Sequence, residues 1–556
     1  MGQKNRKDGF ILQAGILAAA GIIVRIIGIL YRSPLVAIIG DEGNGYYSTA
    51  YTIYTIILLI STNGIPSAVS KIVAGKLAKK EYKNAHKIFM GAFCYVIIAG
   101  GLASMACFLF ADKIVGASSA MVLKVFTPTI FLSGLLGVFR GYFQAHGSML
   151  QTSFSQILEQ IANALISIGG ALILMKLAAS KDTGTQAVYG AMGSALGTGA
   201  GVFTALLFMG AIYLLNHRMF TRRRGRDHTG EEMSYGQVFR LIISMVTPVI
   251  LSTCIYNMSS ATNLKIYTGI AESLYAYSEA EATTYYGLFS GKANQITNIP
   301  IALATAMSSA IIPSISASFE QRDGKGCKQK IRRAMQTTML VSIPAATGLA
   351  VLAKPVVYAL YPQAGTLNMT AGLLRVLSIS VVFYSISTLS NGVLQGTGYV
   401  NKPVIHAALS LVLQTLVLVL LLLCTKVDLY GMALAAICYS LSMSILNGLS
   451  MKKKLGYRQE IKKTFIIPLM ASVPMGLTAW LIYEGSTILF AFAGLLEKGE
   501  MNWLYNGICL VMAVLAAVPT YFGLVIRLGA VGKRELESMP GGRTIIGIVR
   551  KLHLLA

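Results

Sequence analysis

The chain reads as an all-α polytopic membrane protein with about fourteen transmembrane helices: two six-helix lobes related by a parallel repeat, plus two C-terminal helices. Three observations predict this. Hydrophobic residues make up 54% of the 556 positions and charged residues 12%, whereas soluble domains run near a quarter charged. Apolar runs long enough to cross about 30 Å of hydrocarbon recur along the whole length. The third is an internal repeat: Gly141-x-x-Gln144-x-x-Gly147 returns as Gly392-x-x-Gln395-x-x-Gly398, and Ile65-Pro66-Ser67 returns as Ile312-Pro313-Ser314. A chain that repeats once at half its length reads as two copies of one bundle, an arrangement common among transporters.

The apolar runs fall at roughly 10–31, 46–70, 88–110, 122–144, 154–176 and 188–215, then 237–262, 284–317, 335–360, 372–395, 404–425 and 429–450, and finally 464–485 and 504–528. The predicted organisation is an N-lobe at 1–215, a polar basic linker at 216–236, a C-lobe at 237–450, a basic loop at 451–463, an accessory span pair at 464–528 and a basic tail at 529–556. Both copies of each repeated string close an outside-to-inside span, so the halves share an orientation.

The formal net charge of +25 does not indicate nucleic acid, because the cations sit in alternate connections. They cluster at Lys4, Arg6 and Lys7, at Lys76 to Lys87, at Arg218 to Arg226, at Arg322 to Arg333, at Lys452 to Lys463 and at Lys533 to Lys551. Connections of the other parity carry Asp41-Glu42, Asp112, Asp182, Glu272, Glu279, Glu281, Asp428, Glu484, Glu497 and Glu500. The positive-inside rule then puts both termini in the cytoplasm, with the basic loops against anionic membrane lipids. The first run lacks a cleavage site. The seven cysteines lack a C-x-x-C spacing, so neither a disulfide framework nor a metal site is expected.

Charged residues inside apolar runs are expensive and usually face a cavity. Arg25 lies in the first span and Arg32 near its outer end; Arg140 stands one turn before Gln144; Lys292 lies inside the eighth span. In the fifth span Gln156, Glu159, Gln160 and Asn163 recur at helical spacing and share one face. Lys292, Asn294, Gln295 and Asn298 make a similar face in the eighth. Glu159 is the one acid in this set and is accounted for if Arg140 neutralises it; the intramembrane balance is cationic. A cationic cavity suits an anionic substrate, and the planar fork of arginine suits phosphate. The candidate substrate-binding residues are Arg25, Arg32, Arg140, Gln144, Glu159, Gln160, Lys292, Asn294 and Gln395.

Gly64-Ile-Pro-Ser-Ala-Val-Ser-Lys71, Arg140-Gly-Tyr-Phe-Gln144 continuing to Gln156-x-x-Glu159-Gln160, and Leu394-Gln-Gly-Thr-Gly398 followed by Lys402-Pro403 resemble signatures of the SpoVB-type polysaccharide biosynthesis proteins. These belong to the multidrug, oligosaccharidyl-lipid and polysaccharide flippase superfamily and are similar to the lipid II flippases. The resemblance implies two six-helix lobes in a V around a central cavity. It implies a bacterial cytoplasmic membrane location and a polyprenyl-pyrophosphate-linked sugar as cargo. Cavity arginines would hold the pyrophosphate, with Arg25 at such a position. By the same resemblance, spans 13 and 14 would hold the prenyl tail, and envelope-synthesis enzymes would be protein partners.

The first and seventh spans contain no Asp or Glu, where some superfamily members place an acid for cation coupling. No cofactor is expected; membrane potential, or H+/Na+ coupling with Glu159 as the available acid, would supply direction. The expected function is a non-enzymatic flippase working by alternating access. The alternatives are a drug/cation efflux transporter of the same superfamily, a polyprenyl-linked glycosyltransferase using Asp41-Glu42, and a scaffold of an envelope-synthesis complex.

Overall fold

The chain was analysed as a computed structural model, which describes residues 2–61, 64–227, 232–425, 427–492 and 502–529; every regular element among them is helical. The basic tail beyond Gly529, the acidic connection with Glu497 and Glu500, and the side chains of Lys4, Arg6 and Lys7 lie outside the described residues. The chain divides into two compact units, Met1–Gly287 and Leu288–Ala556.

The first unit contains α1 (Gly2–Ser61), α2 (Ile65–Ala78), α3 (Tyr82–Ile114), α4 (Ala117–Ala145), α5 (Met149–Leu177), α6 (Thr183–Arg224), α7 (Tyr235–Ser273) and α8 (Glu279–Gly287). At about 1.5 Å per residue α1 is roughly three times the length that a bilayer core requires. It is two helices joined at Gly40, whose φ of 73° and ψ of −179° break the ladder. The turn expected around Asp41-Glu42 is therefore a kink, and the two acids open the second helical segment, where they face a helix N-terminus. Pro66 sits in the first turn of α2, where its missing N–H costs nothing. α5 and α6 approach through small residues: a Cβ on Gly193 would strike the Gly170 backbone, and one on Gly197 would strike Ser167. That is how membrane helices pack tightly without a hydrophobic driving force.

α6 continues to Arg224, so the first part of the expected linker is helical. The rest is tied to α3: Asp227 Oδ2 accepts from the Lys83 N–H at 2.7 Å, and Asn84 Oδ1 accepts from the Met233 N–H at 2.9 Å. The sequence boundary assigned residues 237–287 to the second lobe. Here α7 and α8 group with the first unit, because Val238 and Ile242 pack into its core and Tyr286 hydrogen-bonds Thr52 at 3.0 Å.

The second unit opens with a π-helical turn, Leu288–Ala293, followed by α9 (Asn294–Glu320), α10 (Gly324–Val351), α11 (Ala353–Leu360), α12 (Ala364–Gly396), α13 (Asn401–Cys424) and α14 (Leu429–Leu455). A second π turn, Lys462–Ile466, leads into α15 (Ile467–Phe492), which pairs with α16 (Trp503–Arg527). This pair is pinned to its neighbours by polar contacts: Tyr483 donates to Asn506 at 2.7 Å, Asn506 to the Pro355 carbonyl at 3.1 Å, and Tyr521 to the Leu340 carbonyl at 2.9 Å.

Among the described residues, twelve helices are long and apolar enough to cross a membrane. One of them, Ile23–Leu59, includes the Gly40 break and covers parts of two expected spans; α7 is not among the twelve. With the break and α7 counted, the helices correspond to the fourteen expected runs. Large apolar side chains such as Leu214, Leu215, Val412 and Leu469 are exposed, as lipid-facing surfaces require.

Candidate functional site

The repeated strings touch each other within each unit. A Cβ on Gly141 would lie 2.6 Å from the Pro66 carbonyl oxygen and 2.9 Å from Val69 Cβ, and Gly137 also faces the Pro66 ring. In the second unit a Cβ on Gly392 would strike Ile312 Cδ1, and Gly396 faces Ser316 and Ile312. The Gly-x-x-Gln helix and the Ile-Pro-Ser helix are thus paired in both units, against backbone in the first and against side chains in the second. The last glycine has the same role in each copy: Gly147 has φ 76° and Gly398 φ 87°, so each reverses the chain after its helix. Gln144 is half-buried and Gln395 is exposed; neither heads a polar cluster.

The polar stripe of α5 lies against α4 and the first segment of α1. Arg140 donates from Nη2 to Glu159 Oε2 at 2.7 Å and from Nε to Ser155 Oγ at 2.9 Å. The pair is largely shielded, with 16% of the Arg140 and 28% of the Glu159 side chain exposed. A Cβ on Gly201 of α6 would meet the Glu159 carbonyl at 2.5 Å, so α6 closes over the same turn. Asn163 donates to Tyr31 at 3.4 Å and accepts from Ser167 at 2.9 Å, which makes it an inter-helix tie. Gln160 faces α1, its Nε2 3.2 Å from where a Gly28 Cβ would stand.

Gly28 lies between the two α1 arginines on one helical face. Arg25 is exposed, and Arg32 is half-buried with its guanidinium 5.2 Å from the centre of the Tyr47 ring. Arg32 is not near a helix end, because α1 runs on past it to Gly40. The kink brings Tyr47 back over it, beginning an aromatic cluster of Tyr47, Tyr51, Tyr54 and Phe126 with ring separations of 4.7–5.9 Å. The sequence showed these tyrosines only as a Tyr-rich span. Their shared face with Phe126 depends on α4, which no local pattern specifies.

In the second unit, Lys292 is 1% exposed; its Nζ contacts Gln363 Oε1 and lies 5.6 Å from the centre of the Tyr361 ring. The expected face with Asn298 does not form. The π turn ending at Ala293 shifts the helical register, so Lys292 is buried while Asn298 is exposed and Asn294 half-buried. A neutral network unmarked in the sequence lies behind the second glycine motif. Asn447 donates to Asn391 Oδ1 at 2.7 Å and to Ser390 Oγ at 3.2 Å; its own Oδ1 lies 2.7 Å from His406 Nδ1, and His406 Nε2 lies 3.1 Å from Ser450.

The chain is similar in sequence and in fold to known proteins. Residues 76–496 match the family described as "Lipid II flippase MurJ". The chain is 24% identical to "Lipid II flippase MurJ" of Bacillus subtilis (strain 168), covering 95% of this chain and 96% of that protein. It is 23% identical to "Stage V sporulation protein B" of the same organism, covering 97% and 99%. Among solved structures, "Lipid II flippase MurJ, inward closed conformation" aligns with a TM-score of 0.64 and 14% identity over 91% of this chain and 97% of that one. An inward-facing multidrug resistance MATE family transporter of the MOP superfamily also aligns with a TM-score of 0.64 and 14% identity, over 80% and 98%. On the extent of the family match, the chain belongs to the MurJ lipid II flippase family.

Proposed function

We propose that the protein is a flippase that carries a polyprenyl-pyrophosphate-linked sugar, lipid II or another cell-envelope polysaccharide precursor, from the inner to the outer leaflet by alternating access. Membership in a flippase family makes it a transporter rather than an enzyme, which sets aside the glycosyltransferase reading. The likeness to a drug transporter, at 14% identity, is a likeness of fold alone.

The observation that supports an anionic cargo is the division of labour among the first-unit arginines. Arg140 is engaged by Glu159, so its charge is offset inside the protein. Arg25 and Arg32 lie on the α1 face that Gln160 meets, and the Arg32 guanidinium stacks over the Tyr47 ring. These two guanidiniums are assigned to the pyrophosphate, with Gln160 beside them, and Arg140 and Glu159 to positioning α4 on α5. Gln144, in the same unit, is a secondary contact in this scheme.

With both termini in the cytoplasm, as the basic loops suggest, outward movement of the head group is favoured by about 2.3 kcal/mol per negative charge per 100 mV of inside-negative potential. Membrane potential then supplies direction without a dedicated cation site. Reconstituted vesicles with an imposed potential test this: translocation of a polyprenyl-pyrophosphate-linked sugar should accelerate with potential, and a rate indifferent to voltage would remove this coupling. The identity of the cargo is read by depleting the protein in its native cell and identifying the lipid-linked sugar that accumulates.

A further inference from the structure

A second cationic site lies in the first unit at its basic end, apart from the arginines of α1. A small open cleft is lined by residues including Tyr82, Tyr142, His146, Phe220, Arg223 and Arg224. It joins the end of α2, the start of α3, the turn after α4 and the end of α6. Its walls are aromatic: His146 lies 4.5 Å from Tyr142 and 5.1 Å from Phe220, ring centre to ring centre. Tyr142 and Phe220 are 3% and 4% exposed.

The charges in this cleft lack a counter-ion among the described residues. Arg224 Nε is buried without a hydrogen-bond partner, and its Nη2 reaches only the neutral Thr221 hydroxyl at 3.0 Å. The nearby acids are engaged elsewhere. Glu81 pairs with Lys76 at 2.6 Å, Glu232 with Lys83 and Lys87 at 3.4 and 3.8 Å, and Asp227 accepts the Lys83 N–H. His146 Nδ1 lies 2.9 Å from the Tyr142 carbonyl. A carbonyl only accepts, so Nδ1 carries the proton and Nε2 of the neutral ring is an acceptor; His146 shapes the wall of the cleft and does not donate to an anion. Burial pushes the His146 imidazole below its ordinary pKa; the hydrogen bond to the Tyr142 carbonyl opposes this, and Arg223 adds to the lowering.

A topology signal needs only exposed cations, and Arg222 and Arg226 on the same turn are exposed. Arg224 differs in being partly withdrawn from water against apolar rings. That placement costs desolvation unless an anion offsets it. Guanidinium forks match phosphate geometry.

We propose that this cleft is a phosphate-binding site that ties together the ends of α2, α4 and α6 in the first unit. The phosphate belongs either to an anionic lipid head group or to a soluble phosphate compound. The proposal is independent of the cargo assignment, since it uses none of the α1 residues.

The test is thermal unfolding of the purified full chain in neutral detergent. One arm compares inorganic phosphate with chloride at matched ionic strength; the other compares short-chain phosphatidylglycerol with phosphatidylcholine. A ligand that binds only the folded state raises Tm. The expected result is a rise with at least one phosphate-bearing probe, retained in Arg222→Gln, and an apparent affinity weakened about tenfold or more in Arg224→Gln, the loss of one charge-assisted contact. A response to inorganic phosphate identifies a soluble source, and a response to phosphatidylglycerol alone identifies a lipid head group. Arg223→Gln should weaken it in the same direction and stands in if Arg224→Gln does not fold. No rise with either probe, or a rise that survives in Arg223→Gln/Arg224→Gln, overturns the proposal.

Discussion

In the first unit Arg140, one residue before the glycine motif, is held by Ser155 and Glu159. In the second, Asn391 at the matching place is held by Asn447, which also holds His406. His406 and Ser410 follow Asn391 at the spacings by which Ser155 and Glu159 follow Arg140. The register of the repeat has therefore survived while its chemistry has diverged: an ion pair on one side, a buried neutral network on the other. What the copies still share is glycine geometry, the close approach to an Ile-Pro-Ser helix and a left-handed turn at the end. The shared motif thus serves packing and chain reversal. The residues that differ are where a lobe acquires its charge.

Four sets of substitutions break this comparison at different depths. The largest effect is expected at the ion pair. Arg140→Gln or Glu159→Gln alone leaves a shielded charge without its partner and should destabilise the fold by about 3 kcal/mol, the lower side of what broken buried pairs cost because Glu159 is partly exposed. The double substitution to Gln makes the first copy neutral like the second and should regain most of that loss. A double-mutant cycle on thermal stability reads it, and additive losses would mean the two side chains are not coupled.

Next come the packing glycines, where the copies should differ. Gly141→Ala places a methyl group against backbone, the Pro66 carbonyl, and should cost about 2 kcal/mol as an overpacked contact. Gly392→Ala meets the flexible end of Ile312 and should cost under about 1 kcal/mol. Equal losses in chemical denaturation would contradict this asymmetry.

Asn447→Ala removes a fully buried side chain that serves Asn391, Ser390 and His406. A loss of about 1–2 kcal/mol is expected from the polar groups left behind, with transport otherwise kept because this network is assigned no cargo. A selective loss of transport at full stability would move part of the cargo site into the second unit. The smallest effect is expected at the chain reversals. Gly147→Ala and Gly398→Ala each force a positive φ on an L residue, at about 1 kcal/mol each, and similar losses at both positions would show that this part of the repeat is still equivalent.

Much of this was legible in the sequence because it is periodic or compositional. The apolar runs specified the helices, and the spacing of Gln156, Glu159, Gln160 and Asn163 placed them on one face. The possibility that Arg140 neutralises Glu159 followed from there being one acid among several cations. What escaped is what tertiary contact decides. Gly40 read as part of a loop, but it is the break inside a 60-residue helix, because apolar continuity alone does not show where a chain turns. The two repeated strings were seen as separate marks of duplication; their contact with each other requires two helices distant in sequence. The Lys292 face failed because a π turn inserts one residue into the register, and nothing in the local composition signals it. The Asn447–His406 network drew no attention because isolated Asn, Ser and His residues in apolar helices carry no spacing signature.

The central assignment places anion recognition on the α1 face of the first unit, on Arg25 and Arg32, while Arg140 is committed to Glu159. The most direct test is translocation of a polyprenyl-pyrophosphate-linked sugar by purified protein in vesicles, comparing the unaltered chain, Arg25→Gln/Arg32→Gln and Arg140→Gln/Glu159→Gln, each first shown to be folded. The expected result is a loss of about a hundredfold for the α1 pair, on the order of 3 kcal/mol from two charge-assisted contacts to phosphate, and less than about tenfold for the neutralised ion pair, which gives up no cargo contact. Transport at the unaltered rate with both α1 arginines replaced would contradict the assignment.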